Sequence, residues 1–567
     1  MKMIIGIDLG TSTTEAAVWQ NGEKHMIPNP EGTVITPSAV GIDESGNWVA
    51  GERARAQYLM FPEKTAIEVK RKTGLDEKIA IGNNRYTAVE LQAKLLSYIR
   101  QYVSQALGED IDSAVISVPA YFNDIQRRET IRAGEMAGFT VERILNEPTA
   151  AALSYGLDHM EEESHVLVYD LGGGTFDVTL LEMFDGVLEV KASGGDNQLG
   201  GKDFDERLME HLFQRFQQRH GKNLRKDRRA AACIKEEAEK AKILLSKEKS
   251  IRVLIPAITV LNGAPIELDE TITRAEFEDM TRDLLVRTHD PIDRVLNDAR
   301  IDEEDLNLII LVGGSTRMPM VARDIEEYLG RPVSHSIHPD YAVAEGAAIQ
   351  AAMISGEIDP GDGLVMTDVN PYTLGVSARM NGDDDMMSII IPRNVTVPTT
   401  RTERYTTSAD YQTMVLVQIY QGESRIASHN HLLGKFRVRD IPPAPAGMEK
   451  LDISFSYDMN GILDVTAKLV STGAARGIRI DMSRPSDQST DLSRWKEAEG
   501  AKRYRSVIRT AERILKNGED YLPKMIDALQ STLEELKTAL ILNHEDEADE
   551  AEEQLRELLE LIREDKE

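Results

Sequence analysis

One cysteine, Cys233, stands alone among 567 residues. A single thiol excludes a disulfide framework and fits a reducing compartment, and on a helical stretch it is expected to be a small buried apolar residue. No 18 uncharged apolar residues run together, so no membrane-spanning helix is expected. The first residues, Met1-Lys-Met-Ile-Ile-Gly-Ile-Asp8, enter a strand without a basic region, apolar stretch or small-residue cleavage site, and the expectation is a cytoplasmic protein. Cations are scarce as well. The 66 Lys and Arg face 96 Asp and Glu, a formal net charge of −30. No basic surface can then release counterions from a polyanion, so neither nucleic acid nor membrane is an expected partner. His429 and His431 lack ligand spacing with other residues and read as loop histidines.

What the sequence does contain is one device written twice. Ile5-Gly-Ile-Asp8-Leu-Gly10-Thr11-Ser12-Thr13 and Leu167-Val-Tyr-Asp170-Leu-Gly172-Gly173-Gly174-Thr175-Phe-Asp177 are apolar strands that end on aspartate and turn through glycine into hydroxyl residues. Such glycines let backbone N–H groups approach phosphate oxygens, the threonines add donors, and the aspartate faces Mg2+ through water. One Asp-x-Gly-x-Thr is usually just a turn. Two can close on the β- and γ-phosphates of one nucleotide from opposite sides. Asp8, Asp170 and Asp177 sharing a cleft would raise one another's pKa, which implies a cation. Asn146-Glu147-Pro148 opens a helix with proline expected at its first position, where its missing N–H costs nothing, so Glu147 sits at a helix mouth where it can hold a metal-bound or attacking water.

Length and pattern divide the chain. This many residues call for about two to four domains. Residues 1–361 alternate short apolar strands (Ala114–Val118, Val166–Asp170, Val187–Ala192, Leu308–Val312) with amphipathic helices (Ala88–Leu107, Asp205–His220, Ala230–Leu245, Arg274–Arg300), an α/β pattern. The Gly/Pro/Asp cluster Ile358-Asp-Pro-Gly-Asp-Gly363 breaks it, and 362–369 reads as a linker. Residues 370–482 carry short alternating runs and the turn Met459-Asn460-Gly461, an all-β domain. From 483 to 567 the pattern is helical again, with Met525, Leu529, Leu533, Leu536 and Leu540 on one face.

Together with Val118-Pro119-Ala-Tyr-Phe-Asn-Asp124, Asn146-Glu147-Pro148-Thr-Ala-Ala-Ala152, Leu199-Gly-Gly201 and Val312-Gly-Gly-Ser315-Thr-Arg317, the two hairpins closely resemble the ATPase of DnaK-type seventy-kilodalton heat-shock chaperones. The resemblance is collinear over about the first 480 residues and loosens in the helical tail. It implies an actin-like, two-lobed α/β ATPase domain, an antiparallel β-sandwich that binds peptide, and a short α-helical lid. The implied activity is hydrolysis of ATP to ADP and phosphate, coupled to binding and release of unfolded or extended polypeptide clients. A J-domain co-chaperone and a nucleotide exchange factor are the implied partners, and Mg2+, with K+ as a further cation, the implied ions.

Residue by residue, the resemblance assigns Lys70 to the γ-phosphate, where it steadies transition-state charge beside Glu147, Asp170, Thr175 and Asp8. Without the family, Lys70 in Glu68-Val-Lys-Arg-Lys-Thr-Gly74 reads as a solvated lysine. Glu239, Lys242 and Ser246 share one helix face, ordinarily an exposed Glu/Lys face. In the resembling proteins that helix grips the adenosine, with Gly313, Gly314, Ser315, Arg317 and Asp340 opposite, and Ile243 here makes adenine packing more apolar. Phosphate contacts fall to Gly10, Thr11, Ser12, Gly172, Gly173, Gly174, Thr175 and Gly201, and water-mediated Mg2+ contacts to Asp8, Glu147, Asp170 and Asp177.

In the β domain the implied peptide pocket is Val376, Tyr405, Val415, Val417, Leu451 and Ile453, flanked by Ala378, Arg379 and Ser408. Arg379 stands where many relatives place methionine, and Ser408 where many have alanine. The same apolar residues also suit a plain sandwich core. Coupling is assigned to Pro119, Arg127, Arg143, Leu364, Val365, Met366 and Asp368, with Thr367 departing from the usual leucine and Gly363 from an acidic residue. Arg143 matches a J-domain contact, and otherwise reads as a surface salt bridge. Residues 543–567 hold 12 acidic and 3 basic residues, a solvated helical face. The short tail and the Thr367-Asp-Val-Asn-Pro-Tyr-Thr-Leu-Gly375 junction look most like the HscC-like bacterial branch. A small-molecule kinase and a nucleotide-dependent filament share such ATPase lobes, but neither explains the β domain.

Overall fold

The structure, a computed structural model, describes residues 2–75, 77–157, 159, 163–184, 186–334, 337–358, 365–380, 382–473, 475–479, 495–496, 500–516, 529–530, 532–533, 536–537, 539–540 and 545–564. The repeated sequence device is a repeated structural one. Strand Ile5–Leu9 pairs antiparallel with Thr13–Gln20 and parallel with Ser113–Val118. Strand Ser164–Leu171 likewise pairs antiparallel with Phe176–Phe184 and parallel with Leu308–Val312. Each hairpin thus starts a mixed sheet, continued by Thr140–Asn146 in one case and by Val187–Asp196 in the other. Parallel strands covered on both faces need continuous apolar runs, and Ala114, Val115, Ile116, Leu167, Val168, Ile309 and Ile310 are almost fully buried.

Helices cover these sheets, and their ends carry the signals that stop and start them. Helix Ala88–Leu107 begins on a capping box between Thr87 and Glu90 and ends at Gly108 with φ 76°; Arg274–Ala299 begins on the same box between Thr273 and Glu276. The residues run together as expected, with ends moved by a few positions: Asp205–His220 starts at Gly201 and Val187–Ala192 extends to Asp196. Helix Ala342–Ser355 is built of small residues because it approaches backbone directly. A Cβ on Gly6 would lie 2.2 Å from the Ala348 nitrogen, and one on Gly346 1.8 Å from the Ala150 carbonyl oxygen. Helix Glu147–Gly156 packs against the strand that bears Asp170, and helix Ala342–Ser355 links it to the strand that bears Asp8.

Beyond Val369 the pairing is antiparallel. Leu374–Met380, Asp383–Ile391, Val415–Gln421 and His431–Val438 form one four-stranded sheet, and Thr399–Thr406, Lys450–Tyr457, Leu463–Leu469 and Ala475–Arg479 another. Val376, Val417, Ile419, Leu451, Ile453, Phe455 and Val465 form the core between them. This mixed α/β body with two antiparallel sheets fits the fold class expected from the sequence. Cys233 is half-buried on helix Arg228–Leu245, not fully buried as expected, and packs at the edge of a core rather than within it.

Residues Met1–Met482 form one compact unit and Ser483–Glu567 a second. In the second, helices Ala501–Lys516 and Glu545–Glu564 share a core with Trp495, Leu529, Leu533, Leu536 and Leu540. Met525, expected on the same face, lies outside the described residues.

Candidate active site

The two hairpin turns meet tip to tip. A Cβ on Gly173 would lie 2.2 Å from the Ser12 hydroxyl and one on Gly174 2.8 Å from the Thr11 methyl, so only glycine allows the second turn to approach the first. Gly313 (φ 84°) passes just as close to the Asp170 carboxylate and the Leu171 carbonyl. Behind the tips lies a cavity of about 560 Å3. From the first hairpin it is lined by Asp8, Gly10, Thr11 and Ser12, and from the second by Asp170, Gly172, Gly173 and Thr175. Gly174 and Gly201 stand just behind this wall, where the Gly201 amide donates to the Gly172 carbonyl at 2.9 Å and so does the Ser315 hydroxyl.

Lys70 and Glu147 face each other at the base of the cavity, both buried, with the ammonium donating to the carboxylate at 2.5 Å. Glu68 in the left-handed conformation turns the chain so that Lys70 points inward over the Phe122 ring. The surrounding acids lack such a partner. Burial first, then the Glu147 charge, pushes the Asp8 carboxyl up to about 7, although the Ser117 hydroxyl donates to it at 2.7 Å. The same two causes bring Asp177 to about 7, against the Tyr121 amide that donates to it at 2.9 Å. Asp170 is raised strongly too, by burial and then by Glu147, Asp177 and Asp8. Among the described residues no three of these acids converge closely enough to ligate one ion directly.

The wider end of the cavity is lined by Glu239, Lys242 and Ser246 on one side and by Gly313, Gly314, Ser315, Arg317 and Asp340 on the other. Arg317 donates to both oxygens of Asp340, which orients the guanidinium plane. Glu239 is not an open face. Burial raises its pKa, but Lys202, then Arg55 and Lys242, outweigh burial and hold the carboxyl at about 2. Arg55, Lys202 and Glu239 come from three distant segments, and nothing local marked Arg55 or Lys202. Ile243 lines the cavity and is half exposed. Glu15, Ile35, Met318 and Val343 also line it and were not anticipated.

The chain matches known proteins over most of its length. The family model described as Hsp70 protein matches residues 4–80 and 76–567. The chain belongs to the Hsp70 family. It is 44% identical to the chaperone protein DnaK of Thermotoga neapolitana over 532 residues, 93% of this chain and 88% of the relative. The DnaK of Thermotoga petrophila is 42% identical over 563 residues, 96% of this chain and 93% of that one. The DnaK of Thermosipho africanus is 43% identical over 531 residues, 93% and 88% respectively. These relatives carry the DnaK name and give the HscC-like placement no support.

In this Hsp70, the residues expected to touch peptide fall into three groups. Val376, Val417, Leu451 and Ile453 are at most 4% exposed and lie in the sandwich core. Val415 and Tyr405 pack at its edge, where the Tyr405 and Ser388 hydroxyls are hydrogen-bonded at 2.9 Å. Ala378 is half-buried, Arg379 is exposed and paired with Asp384 at 3.1 Å, and Ser408 is exposed with its amide donating to Gln412.

Of the expected coupling residues, Arg127 and Asp368 are brought together through Asn146. Strand Val365–Val369 lies parallel to Val187–Asp196 with Met366 opposite Leu188, and antiparallel to Thr396–Val397. The Asn146 amide donates to Asp368 at 2.8 Å and the Thr149 hydroxyl at 3.3 Å, while Arg127 donates to Asn146 at 2.8 Å and to the Ala120 carbonyl, next to buried Pro119. Leu364 and Gly363 lie outside the described residues. Arg143 is not a surface salt bridge: it is partly buried and donates to the Gln350 side chain at 2.8 Å. No membrane-length apolar helix occurs among the described residues.

Proposed function

We infer that this chain is an ATP-dependent molecular chaperone, an ATPase whose nucleotide cycle governs the holding and release of unfolded polypeptide. The observation that carries the reading is a cavity bounded by both Asp-Gly-Thr turns, with the Lys70–Glu147 pair at its base. A triphosphate laid between the turns would meet their backbone N–H groups, and Thr11, Ser12 and Thr175 would add hydroxyl donors. Glu147 would orient the attacking water, with Thr175 and Asp170 beside it. Lys70 would carry the charge that spreads over the γ-phosphoryl oxygens as the bond to the leaving oxygen breaks. Adenosine would occupy the wider end, between Ile243 on the Glu239–Lys242–Ser246 face and the Arg317–Asp340 pair.

Mg2+ fits the donor set, since Asp8, Asp170 and Asp177 crowd around a single lysine already committed to Glu147, an uncompensated charge that a divalent ion relieves. Those carboxylates, with Glu147, would hold it through its own waters. When bound, the ion would supply positive charge that offsets the charge of the phosphates.

The reading divides the chain into an actin-like ATPase domain (1–361), a linker (362–369), a β-sandwich substrate domain (370–482) and a helical lid (483–567). The β sheets and the family match favour a chaperone over a small-molecule kinase or a filament. A J-domain protein and an exchange factor would regulate it, in a cytoplasmic setting. The deciding experiment is fluorescence anisotropy of a labelled apolar peptide, with ADP and then with ATP. Release should quicken markedly with ATP; identical release rates would sink the coupling, while hydrolysis driven by a small metabolite, or sedimentable polymer, would favour the rivals.

A further inference from the structure

The two hairpins share more than their turns. In the second, Asp170 and Asp177 are directly opposite each other in the antiparallel register. In the first, Asp8 is directly opposite Glu15. Both partners follow their aspartate by seven residues, and directly opposed residues of an antiparallel pair project from the same face. Glu15 is therefore the first lobe's counterpart of Asp177, which its different side chain and the lack of a shared motif had hidden. It is 2% exposed and lines the cavity, and its Oε1 has no hydrogen-bond partner. A buried carboxylate oxygen without a donor is strongly disfavoured unless something enters to satisfy it.

We propose that Glu15 is a positioning residue for the cation that accompanies the nucleotide, its free oxygen accepting a hydrogen bond from a metal-bound water beside Asp8. Two features choose a hydrated cation over a nucleotide hydroxyl. Burial, then the Asp8 charge, raises the Glu15 carboxyl well above the ordinary carboxylate range against a bond from the Thr13 side chain, and Asp340 and Glu147 add to the rise, so the gap it faces is one that attracts positive charge. The nearby cation, Lys70, is already bonded to Glu147. Glu15 thereby extends the water-holding acids of the first lobe as Asp177 does in the second. This inference rests on the nucleotide reading above.

The test uses the full chain and Glu15→Gln, which keeps shape and removes charge. ADP affinity is measured by calorimetry in excess Mg2+ and again in excess chelator, and Mn2+ binding to the ADP complex is followed by electron paramagnetic resonance. The ratio of the two ADP affinities should fall at least about tenfold in Glu15→Gln, because a charged acceptor for the metal-bound water is lost in the presence of metal. Mn2+ should bind the variant correspondingly more weakly. A ratio unchanged within about twofold, or a loss of ADP affinity equal with and without metal, overturns the role of Glu15 alone. Wild type that binds no ADP under either condition overturns the nucleotide reading as well. Glu15→Val serves as the second variant, and failure of both variants to fold would make the carboxylate structural and overturn the proposal.

Discussion

Tyr372 lays its ring against Tyr121, centroids 4.3 Å apart, and donates its hydroxyl to the Tyr121 carbonyl at 2.9 Å. The amide of Tyr121 donates in turn to Asp177. One residue therefore joins a carboxylate near the cavity to a tyrosine just before the β-domain strand Leu374–Met380. Around it the same surfaces are joined by Asp124 accepting from the Leu463 amide at 2.9 Å, Asn460 accepting from the Ile144 amide at 3.0 Å and a bidentate Arg393–Asp298 pair at 2.7 Å. Any shift of Asp177 on nucleotide binding would reach the β domain through Tyr121.

Tyr372→Phe keeps the ring and removes the hydroxyl bond, worth about 0.5–1.5 kcal/mol. That corresponds to a loss of about two- to tenfold in the joined population, and ATP-stimulated peptide release should slow by a similar factor. Tyr372→Ala also loses the ring pair, roughly another 0.5–1.5 kcal/mol, and should slow it further. Stopped-flow peptide release reads both variants. Wild-type rates in Tyr372→Ala would remove this contact from the coupling.

The Lys70–Glu147 pair gives a chemical prediction. Lys70→Ala should cut single-turnover hydrolysis at least about a hundredfold while ADP affinity changes little, since the charge matters most as the γ-phosphoryl group departs. The variant leaves Glu147 buried and unpaired, so thermal melting must accompany the kinetics. Normal turnover would take Lys70 out of the mechanism.

Both turns of the site were legible because an Asp-Gly-Thr turn is a local pattern, and so were helices such as Ala88–Leu107, whose cap and period lie within their own residues. What sequence could not give is set by register and distance. Glu15 becomes a cleft residue only through its pairing with Asp8, and a repeat aligned on spacing rather than on residue type would have found it. Arg55, Lys202 and Glu239 meet from segments far apart, and Arg143 finds Gln350 across 207 positions. Tyr372 reads as an ordinary junction residue until Tyr121 is set beside it.

The raised carboxyls predict an unusual pH dependence. Asp8 and Asp177 sit near 7 in the folded chain against an ordinary value of about 3.9, so from about pH 4 to 7 the native state binds more protons than the unfolded one. Stability of the nucleotide-free, chelator-treated protein must therefore fall as pH rises through this window. Between pH 6 and 8 the loss from these two groups is about 1–3 kcal/mol. Glu239 acts with the opposite sign, but its contribution is lost only as pH drops toward about 2, outside this range. Calorimetric melting should show a higher Tm at pH 6 than at pH 8, a difference that Mg2+ with ADP suppresses. A nucleotide-free Tm that climbs from pH 6 to 8 would contradict the buried, uncompensated acids.

Gly346 gives a test of packing with a consequence for chemistry. Its missing side chain lets helix Ala342–Ser355 lie against helix Glu147–Gly156, where an added methyl would sit 1.8 Å from the Ala150 carbonyl oxygen. Backbone on both sides leaves no rotamer to relieve the clash, so Gly346→Ala must separate the helices, at about 1–3 kcal/mol. The helix that moves carries Glu147 at its first residue, while Lys70 belongs to a separate segment and stays. Hydrolysis should then fall more than the Tm shift alone explains at a temperature where the variant is fully folded, because the 2.5 Å pair opens and the carboxylate proposed to orient the attacking water is misplaced. Melting and single-turnover kinetics on the same sample separate the two effects, and a Gly346→Ala protein with wild-type Tm would mean that the helices do not approach each other this closely.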